Sequence, residues 1–332
     1  LESRILLLLI FGVMLLAVAL WFVWCRRCRT NKLLRAALGV GAGGFGLISA
    51  LLLVSGSGLY WYYNRSQPAP FTDRPLFQGI SYSRDVRDTP RPLVIHVIKI
   101  DLTTPGLSFL VTPRQPTKGY DLPARTTSQF LDEFGLQLAV NGSYFTPWWS
   151  NSILDYYPHV GEPASPLGFA VSRGDRYGLQ GEKYPLLMIS LDNRVTFGLP
   201  DGATFNAVAG NDYLLQNGQM PDKLPAFKNR DVLHPRTAVG LDQAGTILII
   251  MVVDGRQPNY SEGVILFELA GLMQEYGAYT ALNLDGGGSS TLVIEGDGGE
   301  PEVLNSPIQN NVPGRERPVA THLGIYALPL EK

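Results

Sequence analysis

Two long uncharged stretches at the start of the chain decide how everything after them must be read. Ile5 to Trp24 runs twenty residues without a charge, and at about 1.5 Å per helical residue such a run spans roughly the 30 Å hydrocarbon core of a bilayer. It reads as a transmembrane helix. Ala36 to Tyr63 is a second uncharged run, Gly-rich at its start and closed by Tyr60, Trp61, Tyr62 and Tyr63, residue types that favour a membrane interface. Between the spans, Arg26, Arg27, Arg29, Lys32 and Arg35 make residues 26–35 a basic loop, which the positive-inside bias assigns to the cytoplasm. The chain beyond Asn64 is then expected on the opposite, extracytoplasmic face. A cleaved signal peptide is the alternative for the first run, but no small-residue cleavage site follows it. Gly39, Gly41, Gly43, Gly44 and Gly46 look superficially like a dinucleotide loop; with no strand before them, Gly39 and Gly43 are expected to permit close helix packing instead.

Charge and cysteine content then narrow the rest. Of 27 Lys+Arg and 29 Asp+Glu, six basic residues and Glu2 precede Asn64, leaving 21 against 28, a net of −7 for the remainder. That balance argues against a nucleic-acid partner held by bulk electrostatics. Both cysteines, Cys25 and Cys28, close the first apolar run, so no disulfide is possible further along. No second Cys or His pair completes a zinc site, and plain thiols are expected.

Residues 64–76 are polar and punctuated by Pro68, Pro70 and Pro75, which suggests a linker, so three parts are expected: 1–63 as anchor, 64–76 as linker and 77–332 as one domain. Leu93–Leu102 and Leu107–Val111 flank a Pro105-Gly106 turn and suggest a hairpin. A short helix is predicted over Thr126–Phe134 before Gly135, and a longer one over Ser261–Tyr276, with Ser261 as N-cap and Gly277 just past the end. Strands are predicted at Leu136–Asn141, Leu167–Arg173, Leu186–Leu191, Ala238–Leu241, Ile247–Val253, Thr280–Leu284, Thr291–Glu295 and Val319–Ala327. Many strands and few helices make the fold class α+β, a single mixed or antiparallel-sheet domain after two transmembrane helices.

Four strand ends carry the chemistry. Asp285-Gly286-Gly287-Gly288-Ser289-Ser290 follows a strand, and three successive glycines allow a backbone nest whose N–H groups cradle an anion; a tight turn is the bland alternative. Arg236, followed by Thr237, is a natural bidentate phosphate partner, or else a surface residue. Asp254-Gly255-Arg256 closes another strand and suits either a site or a turn. Asn141-Gly142-Ser143-Tyr144-Phe145 offers an amide, a hydroxyl and an aromatic platform for a sugar ring. Gly296-Asp297-Gly298-Gly299 reads as a hairpin turn, not a calcium loop. The histidines at 96, 159, 234 and 322 lack metal-ligand spacing, and no serine nucleophile elbow is present. No metal or other cofactor is expected. Sequons at Asn64, Asn141 and Asn259 matter only in a glycosylating pathway.

In order and content these segments, from Asn141-Gly-Ser-Tyr-Phe145 through Ser165-Pro-Leu-Gly-Phe169, Gln216-Asn-Gly218, Arg236-Thr-Ala-Val-Gly240, Val253-Asp-Gly-Arg256 and Ala281-Leu-Asn-Leu-Asp-Gly-Gly-Gly-Ser-Ser290 to Arg317-Pro-Val319, resemble the phosphodiester glycosidase domain family. The resemblance covers about Phe77 to Leu328. It implies hydrolysis of a sugar 1-phosphodiester at the anomeric carbon, with Asp285 or Asp254 as nucleophile or base and Arg236 as anion clamp. The remaining members of the motifs, Asn141, Gly142, Ser143, Tyr144, Thr237, Arg256, Gly286, Gly287, Gly288, Ser289, Ser290 and Arg317, are then expected to bind substrate. The two-span start and the lack of later cysteines depart from the family's lysosomal member and suggest a bacterial, membrane-anchored setting with an envelope or exopolysaccharide glycan as substrate. The competing expectations are a non-catalytic sugar-phosphate or polysaccharide binding module and a metal-dependent phosphodiesterase.

Overall fold

The computed structural model of the chain describes residues 2–28, 31–179, 184–198, 204–221 and 230–331. They fall into two compact units, Leu1–Ser66 and Gln67–Lys332.

The first unit is a pair of helices, α1 (Glu2–Cys28) and α2 (Lys32–Tyr63), whose segments Leu7–Arg27 and Lys32–Tyr63 are long and apolar enough to cross a membrane. Their seam repeats every seven residues: Ala42, Ser49 and Gly56 are buried on α2 against Gly12 and Ala19 on α1, as packing at coiled-coil spacing requires. Ser49 donates its hydroxyl to Gly12 O at 2.6 Å. A Cβ on Gly56 would lie 2.8 Å from Leu9 Cδ2, and one on Gly12 3.0 Å from Leu53 Cγ, whereas Gly43 meets nothing within 4 Å. Close approach therefore runs through Gly12 and Gly56 and, of the expected Gly39–Gly43 pair, through Gly39 alone, where a Cβ would lie 2.8 Å from Arg26 Nη1. The basic loop is also shorter than expected. Arg26 and Arg27 occupy the last turn of α1, Lys32 and Arg35 lie on α2, and Asn31 caps α2 by accepting the N–H groups of Leu33 and Leu34. Arg29 and the Cys28 side chain lie outside the described residues.

The second unit stacks four layers. A seven-stranded sheet takes the strands Phe71–Phe77, Ile80–Arg87, Leu93–Asp101, Ile247–Val253, Arg236–Leu241, Thr280–Asn283 and Asp212–Leu215, in that spatial order. A five-stranded sheet takes Pro301–Val303, Leu292–Glu295, Leu138–Asn141, His322–Tyr326 and Ser108–Val111. Pairing in both is antiparallel. Alternation along the central strands divides the apolar residues between two faces. Ile98, Ile100, Ile250 and Val252 join Leu138, Val140, Leu323 and Ile325 in the core between the sheets. Ile95, Val97, Ile249 and Met251 pack on the outer helix α4 (Leu266–Glu275) through Leu266, Leu269 and Met273. Leu110, Ala139 and Val293 pack on the other outer helix, α3 (Thr127–Phe134), through Phe130 and Leu131. The α+β class is as expected, and a second five-stranded sheet, with Ala170–Ser172, Asn206–Ala209 and Leu186–Ile189 among its strands, adds to the flank.

Three expectations need correction. Phe71–Phe77 is a strand paired with Ile80–Arg87, so the compact unit begins at Gln67 and most of the expected linker belongs to it. Pro105-Gly106 does not close a hairpin, because Leu93–Asp101 pairs with Ile247–Val253 while Ser108–Val111 pairs with His322–Tyr326 in the other sheet; the turn is a crossover. Ser261 is not the N-cap of α4. It donates its hydroxyl to Asp254 O at 2.7 Å and accepts the Val94 N–H at 3.0 Å, while Glu268 accepts the Ile265 N–H at 3.0 Å where the helix begins.

Candidate active site

Antiparallel register gathers the strand ends. Arg236 lies opposite Val253 and Ala238 opposite Asn283, so the start of one strand and the ends of two others share one end of the seven-stranded sheet. Asn141, at the end of a strand of the five-stranded sheet, ties the two sheets together there. It donates Nδ2–H to Asp285 O at 2.6 Å and accepts the Thr237 hydroxyl at 2.9 Å and the Thr291 N–H at 3.2 Å.

A cavity of about 360 Å³ opens at this junction. Asp285 is its one carboxylate among the described residues, and Arg236, Arg256 and Arg317 are its cations. Burial pushes the Asp285 carboxyl up to about 6, against the opposing pull of Arg317, the Ser289 hydroxyl, the Gly286 N–H and Arg256. Burial likewise brings Arg236 and Arg317 down to about 10, which leaves both charged at neutral pH. Each arginine is held from behind. Arg236 donates to Val264 O at 3.1 Å and Val232 O at 2.9 Å; Arg256 donates Nε–H to His234 Nδ1 at 3.1 Å; Arg317 donates to Gln309 Oε1 at 2.6 Å and Ser289 Oγ at 3.2 Å, with its guanidinium 5.0 Å from the Trp148 ring centre. Phe145, Trp148 and Tyr144 add aromatic surface, and burial raises the Tyr144 hydroxyl well above the usual phenol range.

Two of the three glycine N–H groups of the expected cradle are engaged within the protein: Gly286 donates its N–H to Asp285 Oδ1 at 2.9 Å and Gly287 to Pro235 O at 2.8 Å. The glycines also supply room. A Cβ on Gly287, whose φ is +64°, would lie 2.8 Å from Arg256 Nη2, and one on Gly288 would lie 2.5 Å from Arg317 Nη2 and 2.7 Å from Gln309 Oε1. The missing side chains let two guanidiniums approach the loop that carries Asp285.

Asp254 and several other expected site residues lie beneath the cavity instead of on its wall. Asp254 is fully buried. It accepts Asn305 Nδ2–H at 3.0 Å and the Ser306 N–H at 2.9 Å on one oxygen, and His96 Nε2–H at 3.2 Å on the other; Tyr82 donates in turn to His96 Nδ1 at 2.7 Å. Ser143 accepts the Ala209 N–H at 2.9 Å, Gly142 donates to Thr321 O at 2.8 Å, and Thr237 lies 3.2 Å from the Ser290 hydroxyl. Asn141, Ser143, Thr237, Ser289 and Ser290 are likewise buried.

His234, Trp148, Ser150, Asn310 and Asn311 line the cavity without having been singled out for it. His234 stands two residues before Arg236, and Asn310 and Asn311 both adopt φ near the left-handed region, at 55° and 59°, where asparagine is the commonest non-glycine residue. An Asn-Asn pair was the available signal. Among the described residues no group of three His, Cys, Asp or Glu side chains converges where a metal ion would sit.

The family model for phosphodiester glycosidases matches residues 134–326, more than half of the chain and a span that holds every residue of this cavity. The chain belongs to the phosphodiester glycosidase family. Among curated proteins it is 41% identical over 66 residues to N-acetylglucosamine-1-phosphodiester alpha-N-acetylglucosaminidase of Bos taurus, covering 20% of this chain and 12% of that protein. It is 38% identical over 74 residues to the SPbeta prophage-derived protein YomE of Bacillus subtilis, covering 22% and 11%. The chain thus spans about a tenth of the length of these relatives. The solved catalytic domain of the zebrafish N-acetylglucosamine-1-phosphodiester alpha-N-acetylglucosaminidase, auto-inhibited by its pro-peptide, superposes with a TM-score of 0.54 at 24% identity over 79% of this chain and 87% of that one, and shares the fold.

Proposed function

We propose that the Gln67–Lys332 unit of this phosphodiester glycosidase family member hydrolyses sugar 1-phosphodiesters, breaking the bond between the anomeric carbon and a phosphate oxygen. One observation carries this reading: among the described residues a single carboxylate, Asp285, shares its cavity with three guanidiniums. Ordinary glycoside hydrolysis uses two carboxyl groups, one of which protonates the leaving sugar oxygen. A departing phosphate monoester has a second pKa near 6 and needs no such proton. It needs cations, and one carboxylate is then enough.

In this reading Asp285 works at the anomeric carbon, as nucleophile or as base toward water. Its carboxyl, pushed up to about 6, is still ionised at neutral pH yet more basic than a free carboxylate. Arg236, Arg256 and Arg317 hold the phosphate and stabilise the charge that grows on it. Tyr144, Phe145 and Trp148 give the sugar ring an apolar face. Gly286, Gly287 and Gly288 contribute by admitting the arginines, and Asn141, Gly142, Ser143, Thr237, Ser289 and Ser290 by fixing the wall from behind. Asp254 is assigned a positioning role for the same reason.

The helices α1 and α2 are read as two membrane spans with the basic cluster in the cytoplasm, which puts the catalytic unit on the extracytoplasmic side and an envelope or exopolysaccharide glycan within its reach. The activity for which the Bos taurus and zebrafish proteins are named, on N-acetylglucosamine 1-phosphodiesters, supports the bond type. The test is incubation of the purified full chain with a panel of sugar 1-phosphodiesters and assay of reducing sugar. Release of reducing sugar with a phosphate monoester is expected. Binding without turnover would replace the reading by a sugar-phosphate binding module, and activity abolished by a chelator would replace it by metal-dependent phosphodiester cleavage.

A further inference from the structure

His234 stands on the cavity wall with no role in the chemistry above. Its position is fixed by paired backbone bonds, His234 N–H to Val264 O at 3.3 Å and Val264 N–H to His234 O at 3.1 Å. The neighbouring Gly263, at φ +92°, keeps this contact tight: a Cβ there would lie 2.5 Å from His234 O. The ring's tautomer is fixed as well. Arg256 Nε lies 3.1 Å from His234 Nδ1, and a guanidinium can only donate. Nδ1 must therefore hold the lone pair, and the proton of the neutral ring must sit on Nε2. The half-buried ring lines the same cavity as Asp285, Arg236, Arg256 and Arg317.

We propose that His234 is a further catalytic residue: it donates Nε2–H to a phosphate oxygen of the substrate and keeps that proton throughout the reaction, while Arg256 serves as the positioning residue that selects the tautomer. This rests on reading the cavity as a sugar 1-phosphodiester site. As the bond from C1 to oxygen breaks, its electron pair passes to the phosphate oxygen. Water supplies the new hydroxyl on C1 and the one proton released to the phosphate or to solvent. None comes from His234. The surroundings favour a donor over a proton carrier: Nδ1, the nitrogen that would accept a proton, is already bonded to Arg256, and burial together with the Arg256 and Arg236 charges pushes the imidazole down to about 4. The ring is neutral wherever Asp285 is ionised, and a neutral imidazole gives a hydrogen bond without giving up its proton. Three fixed cations and one neutral donor then meet the phosphate, with no added charge to repel the arginines.

The experiment compares His234→Ala and His234→Gln in the full chain, both checked for a cooperative unfolding transition. Glutamine places an amide N–H close to where Nε2–H stood and has no titratable proton. His234→Ala is expected to lose about a hundredfold in kcat/KM on a sugar 1-phosphodiester, and His234→Gln to recover most of that loss, with the pH profile unmoved in both. A glutamine variant as inactive as alanine, or a basic limb in the parent profile that both variants lack, would make His234 a proton-transferring acid and overturn the proposal. Calorimetric titration with a sugar 1-phosphate reads the same contact without turnover. His234→Ala should bind at least about tenfold more weakly and His234→Gln nearly as well as the parent. Equal affinity in all three overturns the proposal. A parent chain that binds the probe but turns over no phosphodiester would instead overturn the reaction, leaving the His234 contact to be judged by the titration alone.

Discussion

The cavity wall and the polar layer beneath it are built from the same residue types, yet they differ in what their polar atoms already hold. Beneath the wall, both Asp254 oxygens are engaged by Asn305, Ser306 and His96, and Asn141 has donors and acceptors matched on both ends of its amide. On the wall, Asp285 accepts the Gly286 N–H and the Ser289 hydroxyl and borders the open space of the cavity together with Arg236, Arg256 and Arg317. Satisfied polar groups sealed in the interior rigidify; charged groups that border an open cavity can bind and react. The two layers should therefore answer substitution differently, the wall in rate and the layer below in stability.

The largest effect is expected at Asp285. If it works at the anomeric carbon, Asp285→Asn should lose at least about a thousandfold in kcat/KM, and lose it equally on a sugar 1-phosphodiester and on an aryl glycoside of the same sugar, because both share that carbon. The parent profile follows from the same carboxyl. Its pKa of about 6 is raised, and the working form is the ionised one, so activity should climb as pH rises toward 6 and level off above it. A profile flat through that region would remove Asp285 from the chemical step.

Arg236→Ala comes next, with about a hundred- to a thousandfold loss on the phosphodiester and a much smaller one on the aryl glycoside, since only the first develops phosphate charge. Arg236→Lys should restore part, keeping the charge but losing the fork. Equal losses on the two substrates would assign Arg236 to the structural layer, as anchor of Val264 O and Val232 O, and leave the clamp to Arg256 and Arg317.

Asp254→Asn should show the opposite signature. Whichever way the amide is turned, its N–H replaces one acceptor and faces a buried donor, His96 Nε2–H on one side or Ser306 N–H and Asn305 Nδ2–H on the other, at a cost of about 3 kcal/mol, read as a lower midpoint in urea. Its kcat per folded molecule should stay within about tenfold of the parent, because its contribution is to hold residues 305 and 306 in place. Intact stability with a collapse in rate would return Asp254 to the list of reacting groups.

This division was only partly legible in the sequence. Local signals were readable: Thr126 and Gln129 form the capping box of α3, with Gly135 at φ +61° closing it, and the apolar runs at Leu93 and Ile247 are strands. Pairing was not readable, because Pro105-Gly106 looks the same whether the next strand folds back or crosses to another sheet. The strand Phe71–Phe77, all but Phe77 of which reads in the sequence as part of a linker for its polar residues and for Pro68, Pro70 and Pro75, lies at the edge of its sheet, where solvent-facing side chains are allowed. Asp254 and Asp285 follow strands in the same way and are each followed by glycine, so nothing local separates them. Only the long-range partner, Ser306 for one and a cavity for the other, does so.

The smallest effect is expected at Gly288, and it separates two accounts of the glycine run. If the run served as a nest of N–H donors, Gly288→Ala would leave phosphate binding nearly unchanged, because alanine keeps the N–H and this residue is not in the left-handed region. If the run serves to admit guanidiniums, the added methyl meets Arg317 Nη2 at 2.5 Å and Gln309 Oε1 at 2.7 Å. Both are far ends of flexible side chains, so the fold should yield without unfolding. Arg317 is then displaced by a fraction of an ångström from its bonds to Gln309 and Ser289. A shift of that size in a charge-stabilising group lowers kcat/KM by about tenfold. The loss should appear on the phosphodiester and not on the aryl glycoside, with an unfolding midpoint close to the parent's. Comparing Arg317→Ala with Arg317→Ala combined with Gly288→Ala, beside the parent and Gly288→Ala, completes the cycle. If the glycine acts only through Arg317, alanine at 288 should have no further effect once that guanidinium is gone, whereas an undiminished effect would restore the N–H cradle.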